Sequence, residues 1–309
     1  MSDLLPRRTA LFLFGIVVVT WGLNWAVTKI LVDSVSPLWT TAIRSAIASV
    51  SLCLLLLARG QFVVPRRGDL PVVLVVGLFH MAIFSTLVAF GLQLVPVGRS
   101  IVLGYTTPLW VAPGARLFLG ERLTPSRLAG IGLGMAGLAV MFNPMAFDWG
   151  NGQALLGNGL VLLAALSWAV SILYVRVHTW ISTPFQLVFW QALLTTCVLS
   201  VLALLFDGVP QIRWTPSLVA AFLYGGVCGT ALAYWAMVTV NRSLPATTTS
   251  LGILATPVVG VASSAAAFGE TISGDLLLAM AMILGGIAIG MIPAEEMRRL
   301  PWFRKKLTE

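Results

Sequence analysis

Long apolar runs, separated by short polar gaps, occupy almost the whole chain, and no other feature restricts its fold so severely. A helix needs roughly 20 apolar residues, at about 1.5 Å each, to cross the hydrocarbon layer. The runs fall at 10–32, 36–58, 70–94, 97–119 and 126–142, then at 153–175, 184–206, 215–240, 246–268 and 274–292. Lipid leaves no partner for an open backbone, and the runs are too long and too evenly apolar for barrel strands. The expected fold is an all-α integral membrane protein with ten transmembrane helices. Composition agrees: 58% of residues are hydrophobic and 10% charged, against about 25% charged in soluble domains. The apolar run from Ala10 to Leu31 follows Arg7 and Arg8 without a small-residue cleavage site, so it reads as a first span and not as a signal core.

The net charge of +8 reads as topology and not as a phosphate-binding face, because the basic residues gather between the apolar runs. With a cytoplasmic amino terminus, one side collects Arg7, Arg8, Arg59, Arg66, Arg67, Arg116, Arg122, Arg127, Arg176 and Arg242. The tail residues Arg298, Arg299, Arg304, Lys305 and Lys306 join them, and only Lys29, Arg44, Arg99 and Arg213 fall elsewhere. Both termini are therefore expected in the cytoplasm of a bacterial cell whose inner membrane the chain spans repeatedly. Cys53, Cys197 and Cys228 all lie inside apolar runs, without metal-ligand spacing, and read as packing residues.

An internal repeat is legible. Trp21 and Lys29 are eight residues apart, as are Trp168 and Arg176. Pro37 and Arg44 are seven apart, as are Pro184 and Gln191. Ala89-Phe90-Gly91 corresponds to Tyr234-Trp235-Ala236, and thirteen residues separate Pro108 from Glu121 and Pro257 from Glu270. The offset stays between 145 and 149 residues, with Asn143-Pro144 through Gly152 as the polar break. The expected organisation is an amino-terminal repeat at 1–147, a second at 148–292, and a basic cytoplasmic tail at 293–309. Five spans per half is an odd number, so the halves enter the membrane in opposite senses. Inverted repeats of this kind build substrate sites at their interface in secondary transporters.

The segments Trp21-Gly22-Leu23-Asn24-Trp25, Gly104-Tyr105-Thr106-Thr107-Pro108-Leu109-Trp110 and Leu119-Gly120-Glu121-Arg122-Leu123 resemble the ten-span EamA-type family of the drug/metabolite transporter superfamily. Ala255-Thr256-Pro257 and Phe268-Gly269-Glu270 repeat the pattern, and the resemblance covers residues 10–292. It implies that spans one to four and six to nine surround a central cavity, with spans five and ten peripheral. It further implies secondary export of small metabolites such as amino acids, with efflux of drugs or lipophilic cations as the alternative. A non-transporting membrane sensor or a membrane enzyme is the competitor from another class.

Polar groups at membrane depth are costly, so they are the site candidates. His80, ten residues into span three, is read as a cavity histidine that bonds substrate or carries a proton, or as a neutral histidine satisfied by a neighbour. Arg44 is read as an anion-attracting group or as one that snorkels, as is Lys29, four residues before Asp33. Trp21 and Asn24 on span one, Tyr105 on span four, Trp168, Ser171 and Tyr174 on span six, and Tyr234 and Trp235 on span eight complete the substrate-binding candidates. Such rings suit a flat, apolar or cationic ligand. Pro108 and Pro257, placed mid-span, are candidate hinges or fixed kinks. Glu121 and Glu270, at span ends, are expected to be structural, bonding backbone groups and arginines.

No acidic residue lies in the middle of any run. Four-span members of the superfamily use a first-span glutamate for proton coupling; the chain lacks it, so facilitated diffusion, exchange or coupling through His80 is expected. Neither a phosphate-cradling loop, a metal-ligand cluster nor a nucleophile with its base is present, so no cofactor, metal, nucleic-acid partner or enzymatic activity is expected. The expected partners are a small-molecule substrate and the bilayer, with the protein a monomer or weak dimer.

Overall fold

The computed structural model describes residues 5–121, 123–142, 150–244, 249 and 252–292. Arg122, the boundary between the expected halves at 147/148, the side chain of Arg242 and the basic tail at 293–309 lie outside the described residues. All regular structure among the described residues is helical. Six helices are long and apolar enough to cross a membrane: α1 (Arg7–Val32), α2 (Pro37–Ala58), α3 (Arg67–Leu94), α7 (Gly152–Val177), α8 (Pro184–Phe206) and α9, whose apolar part is Pro216–Met237. Shorter ones are α4 (Val97–Gly104), α5 (Thr107–Leu119), α6 (Pro125–Phe142), α10 (Ala255–Phe268) and α11 (Gly274–Gly290).

The helix starts follow local chemistry. α2 and α8 begin on prolines, whose missing N–H costs nothing in a first turn, and Thr183 with Gln186 forms a capping box ahead of Pro184. α5 and α10 stop at Gly120 and Gly269, which take left-handed φ of 68° and 65°. Apolar side chains point outward as well as inward: Phe12, Leu54, Leu205 and Phe206 are all more than 60% exposed, as expected where the surrounding solvent is lipid.

Span four, expected as one helix over 97–119, is instead broken at Tyr105-Thr106. The Thr106 and Thr107 hydroxyls donate to the carbonyls of Leu103 and Gly104, and Pro108 has no N–H to continue the ladder. Pro108 therefore opens a new helix instead of bending an old one. Pro257 likewise lies in the first turn of α10, just after a turn at Ile253-Leu254.

α2 packs on α8, α1 on α10, α7 on α5, and α6 on α11. The α6–α11 seam is built from glycines: a methyl on Gly130 would strike the Gly286 carbonyl, and one on Gly137 would lie 2.8 Å from Met282 Cβ. α3 and α9 each contain a nine-residue π-helical stretch, Val76–Phe84 and Tyr224–Leu232. Such stretches are rare and concentrate at functional sites. Here both face one cavity.

Candidate functional site

The cavity, about 200 Å³, lies among α1, α2, α3, α7, α8 and α9, with Tyr105 entering from the break between α4 and α5. One wall is aromatic. The His80 ring stacks on Trp168 with centroids 5.0 Å apart and planes 10° from parallel. Phe84 packs 5.2 Å from Trp168, and Tyr234 bridges His80 at 6.4 Å and Trp21 at 5.9 Å. Trp25 lies 6.4 Å from Tyr105. No described protein group hydrogen-bonds the His80 imidazole, so its ring nitrogens are available to a ligand.

A polar cluster adjoins it. Arg44 Nη1 donates to Thr28 Oγ1 at 3.0 Å, and that hydroxyl donates to the Asn24 carbonyl at 2.7 Å. Asn24 Oδ1 is buried without a hydrogen-bond partner. Glycines on α9 admit both side chains: a methyl on Gly225 would stand 3.0 Å from Arg44 Cδ, and one on Gly229 only 2.6 Å from Asn24 Oδ1. None of the described lining residues is acidic.

The π-helical backbone is held open by side chains from neighbouring helices. Ser167 Oγ donates to the Phe79 carbonyl at 2.6 Å, Thr195 Oγ1 to that of Gly77 at 2.9 Å, and Trp21 Nε1 to that of Gly229 at 3.2 Å. These donors occupy carbonyls in the stretches where the ordinary α-helical ladder is interrupted.

Of the expected binding residues, His80, Trp21, Asn24, Tyr105, Trp168, Tyr234 and Arg44 line the cavity. The other three do not. Ser171 is buried in packing, Tyr174 sits in a cluster with Val72, Val76 and Leu187 and stacks near His178, and Trp235 lies under the Arg59 guanidinium at 4.6 Å. Lining residues not singled out from sequence include Trp25, Ser45, Met81, Ser85, Gly229 and Thr230. Gly104 beside Tyr105 held a signal for Trp25, since a methyl there would be 2.7 Å from the indole. Glu270 accepts from the Val97 and Gly98 amides at 2.7 and 2.9 Å, capping α4, while Glu121 pairs with Arg127 at 2.8 Å and Arg176 at 3.2 Å. Lys29 is engaged by Asp33 at 2.6 Å.

The sequence pattern of the EamA-like transporter family matches residues 8–143 and, a second time, 155–291. The chain belongs to that family. Among its relatives is a protein of Salmonella typhimurium named "Probable amino-acid metabolite efflux pump", 31% identical over 91% of this chain and 94% of that one. Another, named "Riboflavin transporter", from Rhizobium johnstonii, is 33% identical over 68% of this chain and 66% of its own. A solved crystal structure superimposes with a TM-score of 0.66 at 23% identity, covering 94% of this chain and 99% of that chain, and so shares the fold. The EamA-family protein described here is thus a membrane transporter and not an enzyme.

Proposed function

We propose that the chain is a secondary exporter of small metabolites, amino acids foremost, working by alternating access at this cavity between two inverted five-helix halves. The observation that carries the reading is the cavity itself: stacked rings and a polar cluster lining one space amid otherwise apolar helices. The double family match and the packing pairs α2 with α8 and α6 with α11 support two related halves, as a pseudo-twofold axis brings equivalent helices together. On this reading the shorter apolar helices complete ten spans in a bacterial inner membrane, with both termini cytoplasmic. The name of the Salmonella relative favours amino-acid metabolites as cargo.

A second reading has its own support. The stacked His80 and Trp168 rings, with a relative named for riboflavin, favour a flat heterocycle.

The lining contains no described acidic residue, so proton coupling, where present, runs through His80; otherwise the protein is a facilitator or exchanger. Purified protein in vesicles, screened against amino acids and flavins with and without an imposed pH gradient, tests both parts. The expected result is saturable counterflow of at least one amino acid. Absence of flux for every candidate would overturn export at this site, and gradient-driven uphill flux that survives His80→Ala would overturn the coupling assignment.

A further inference from the structure

Arg44 is the only described basic residue in the cavity lining, and no described acidic side chain forms an ion pair with it. Its guanidinium carries five N–H donors, of which the Thr28 hydroxyl takes one. A partly buried charge without a counterion is unfavourable, and a guanidinium fork matches a carboxylate in shape. Lys29, one residue beyond Thr28 on α1, shows the contrast: its ammonium is already taken by Asp33.

Asn24 supplies the second observation. Its Oδ1 is a buried acceptor with nothing to accept from, and such atoms are rare in native structures. It is adjacent to Arg44: the position a methyl on Gly225 would take lies 3.0 Å from Arg44 Cδ and 3.7 Å from Asn24 Oδ1. That spot is filled by the packing of α9, but both residues line the cavity, so a ligand in it meets the unpaired cation beside the Asn24 amide. One helical turn before Asn24 on α1, Trp21 begins the chain of rings that leads through Tyr234 to His80 and Trp168.

From this we infer that the cavity holds an α-amino acid zwitterion, its carboxylate on Arg44, its ammonium on the Asn24 amide once that side chain turns its oxygen toward the cavity, and a planar side chain along the ring wall. The assignment rests on the export reading above and narrows it. A lipophilic cation places like charge beside Arg44 and is excluded by the same geometry.

Binding to detergent-purified full-length protein tests this independently of transport. Isothermal titration is run with L-tryptophan, indole-3-acetate and tryptamine, which share one ring system and differ in the carboxylate and the ammonium. L-Tryptophan is expected to bind tightest, indole-3-acetate about tenfold more weakly, and tryptamine at least a hundredfold more weakly, since charge-assisted bonds carry about 1.5–3 kcal/mol each. In Arg44→Gln the preference for L-tryptophan over tryptamine is expected to collapse, while the apo melting temperature holds or rises because an uncompensated charge has gone. Tryptamine binding as tightly as L-tryptophan to the wild type, no binding of any probe, or an Arg44→Gln protein that keeps the wild-type ranking would each overturn the inference. The wild-type ranking needs no variant to fold. Counterflow of labelled L-tryptophan in vesicles separates the two claims: carboxylate-selective binding without counterflow sinks the transporter reading and leaves the subsite standing. Counterflow without carboxylate selectivity does the reverse.

Discussion

Two π-helical stretches of equal length face the same cavity, and they carry opposite kinds of side chain. Val76–Phe84 on α3 is bulky and presents His80, Met81 and Phe84, whereas Tyr224–Leu232 on α9 offers Gly225, Gly226 and Gly229. They begin 148 residues apart, within the offset of the sequence repeat. At that offset Gly77 corresponds to Gly225. Gly77 packs against Leu194 and the Gln191 backbone, while Gly225 receives Arg44, the residue that corresponds to Gln191. The same backbone deformation thus builds a wall on one side and leaves room on the other. A duplicated frame can acquire an asymmetric site by changing side-chain volume alone, without moving a helix.

The largest effect is expected where that room is filled against backbone. A methyl on Gly226 would lie 2.5 Å from Ile47 Cγ2 and 3.1 Å from the Arg44 carbonyl, which cannot rotate away. Gly226→Val is expected to cost about 1–3 kcal/mol through overpacking and to abolish transport. Thermal unfolding in detergent and vesicle flux check it. A variant with wild-type melting and flux would show that the α9 stretch has slack, and the contrast with α3 would lose its meaning.

A second pair of counterparts divides in the same way. Glu121 and Glu270 each follow a left-handed glycine, yet Glu270 is spent on two backbone amides and Glu121 on two arginines. The amides of Val97 and Gly98 belong to the first turn of α4, which has no other side-chain cap. Glu270→Ala is expected to lower stability by about 1–2 kcal/mol, as losing a helix cap does. Glu121→Ala, whose partners are partly exposed, should lower it by less than 1 kcal/mol. Melting curves of the two variants measured together decide whether the carboxylates are interchangeable; equal losses would say that they are.

How much of this was legible in the sequence depends on the question asked. The apolar runs located the helices well, because length against bilayer thickness is a one-dimensional matter. Which way a helix faces was harder. In spans apolar on every side there is no polar stripe to mark the inner face, so residue type and depth alone point Ser171, Tyr174 and Trp235 toward the cavity. Trp235 is held instead by Arg59, from the distant end of α2, and Tyr174 by a cluster near His178. Arg59 on Trp235, and Val72, Val76 and Leu187 around Tyr174, come from other helices and leave no local trace. The π-helical stretches were invisible for the same reason: their carbonyls are satisfied by Ser167, Thr195 and Trp21 from other helices. Mid-span position alone suggests a hinge or kink at Pro108; the break arises because the hydroxyls of Thr106 and Thr107 end α4 just before it.

The ring wall on α3 predicts a smaller stability effect with a larger functional one. His80→Ala removes the stack on Trp168 and is expected to cost about 0.5–1.5 kcal/mol beyond lost area, the usual worth of a ring pair. Transport should persist with a raised KM, because the polar cluster is untouched. Cys228→Ala, the corresponding change on α9, should leave both quantities within error, since Cys228 is not among the residues lining the cavity. If Cys228→Ala raised the KM as His80→Ala does, the division of labour between the stretches would fail.

The smallest effect belongs to Lys29. Its ammonium and Arg44's guanidinium are the two cations in the interior of the first two helices, and they differ in what already neutralises them. Lys29 pairs with Asp33 one helical turn away, with side chains 23% and 49% exposed, whereas Arg44 faces the cavity unpaired. An exposed i,i+4 pair contributes about 0.3–0.5 kcal/mol, and solvent and salt screen it further. Lys29→Gln is therefore expected to leave melting within about 0.5 kcal/mol of wild type and substrate KM unchanged. Measured flux at low and high salt checks this, because a lysine that guides an anionic ligand would show a salt-dependent KM that the variant loses. Such a loss would transfer part of the anion recognition from Arg44 to the Asp33 end of α1, and would make charge outside the cavity, not only within it, a determinant of what the protein carries.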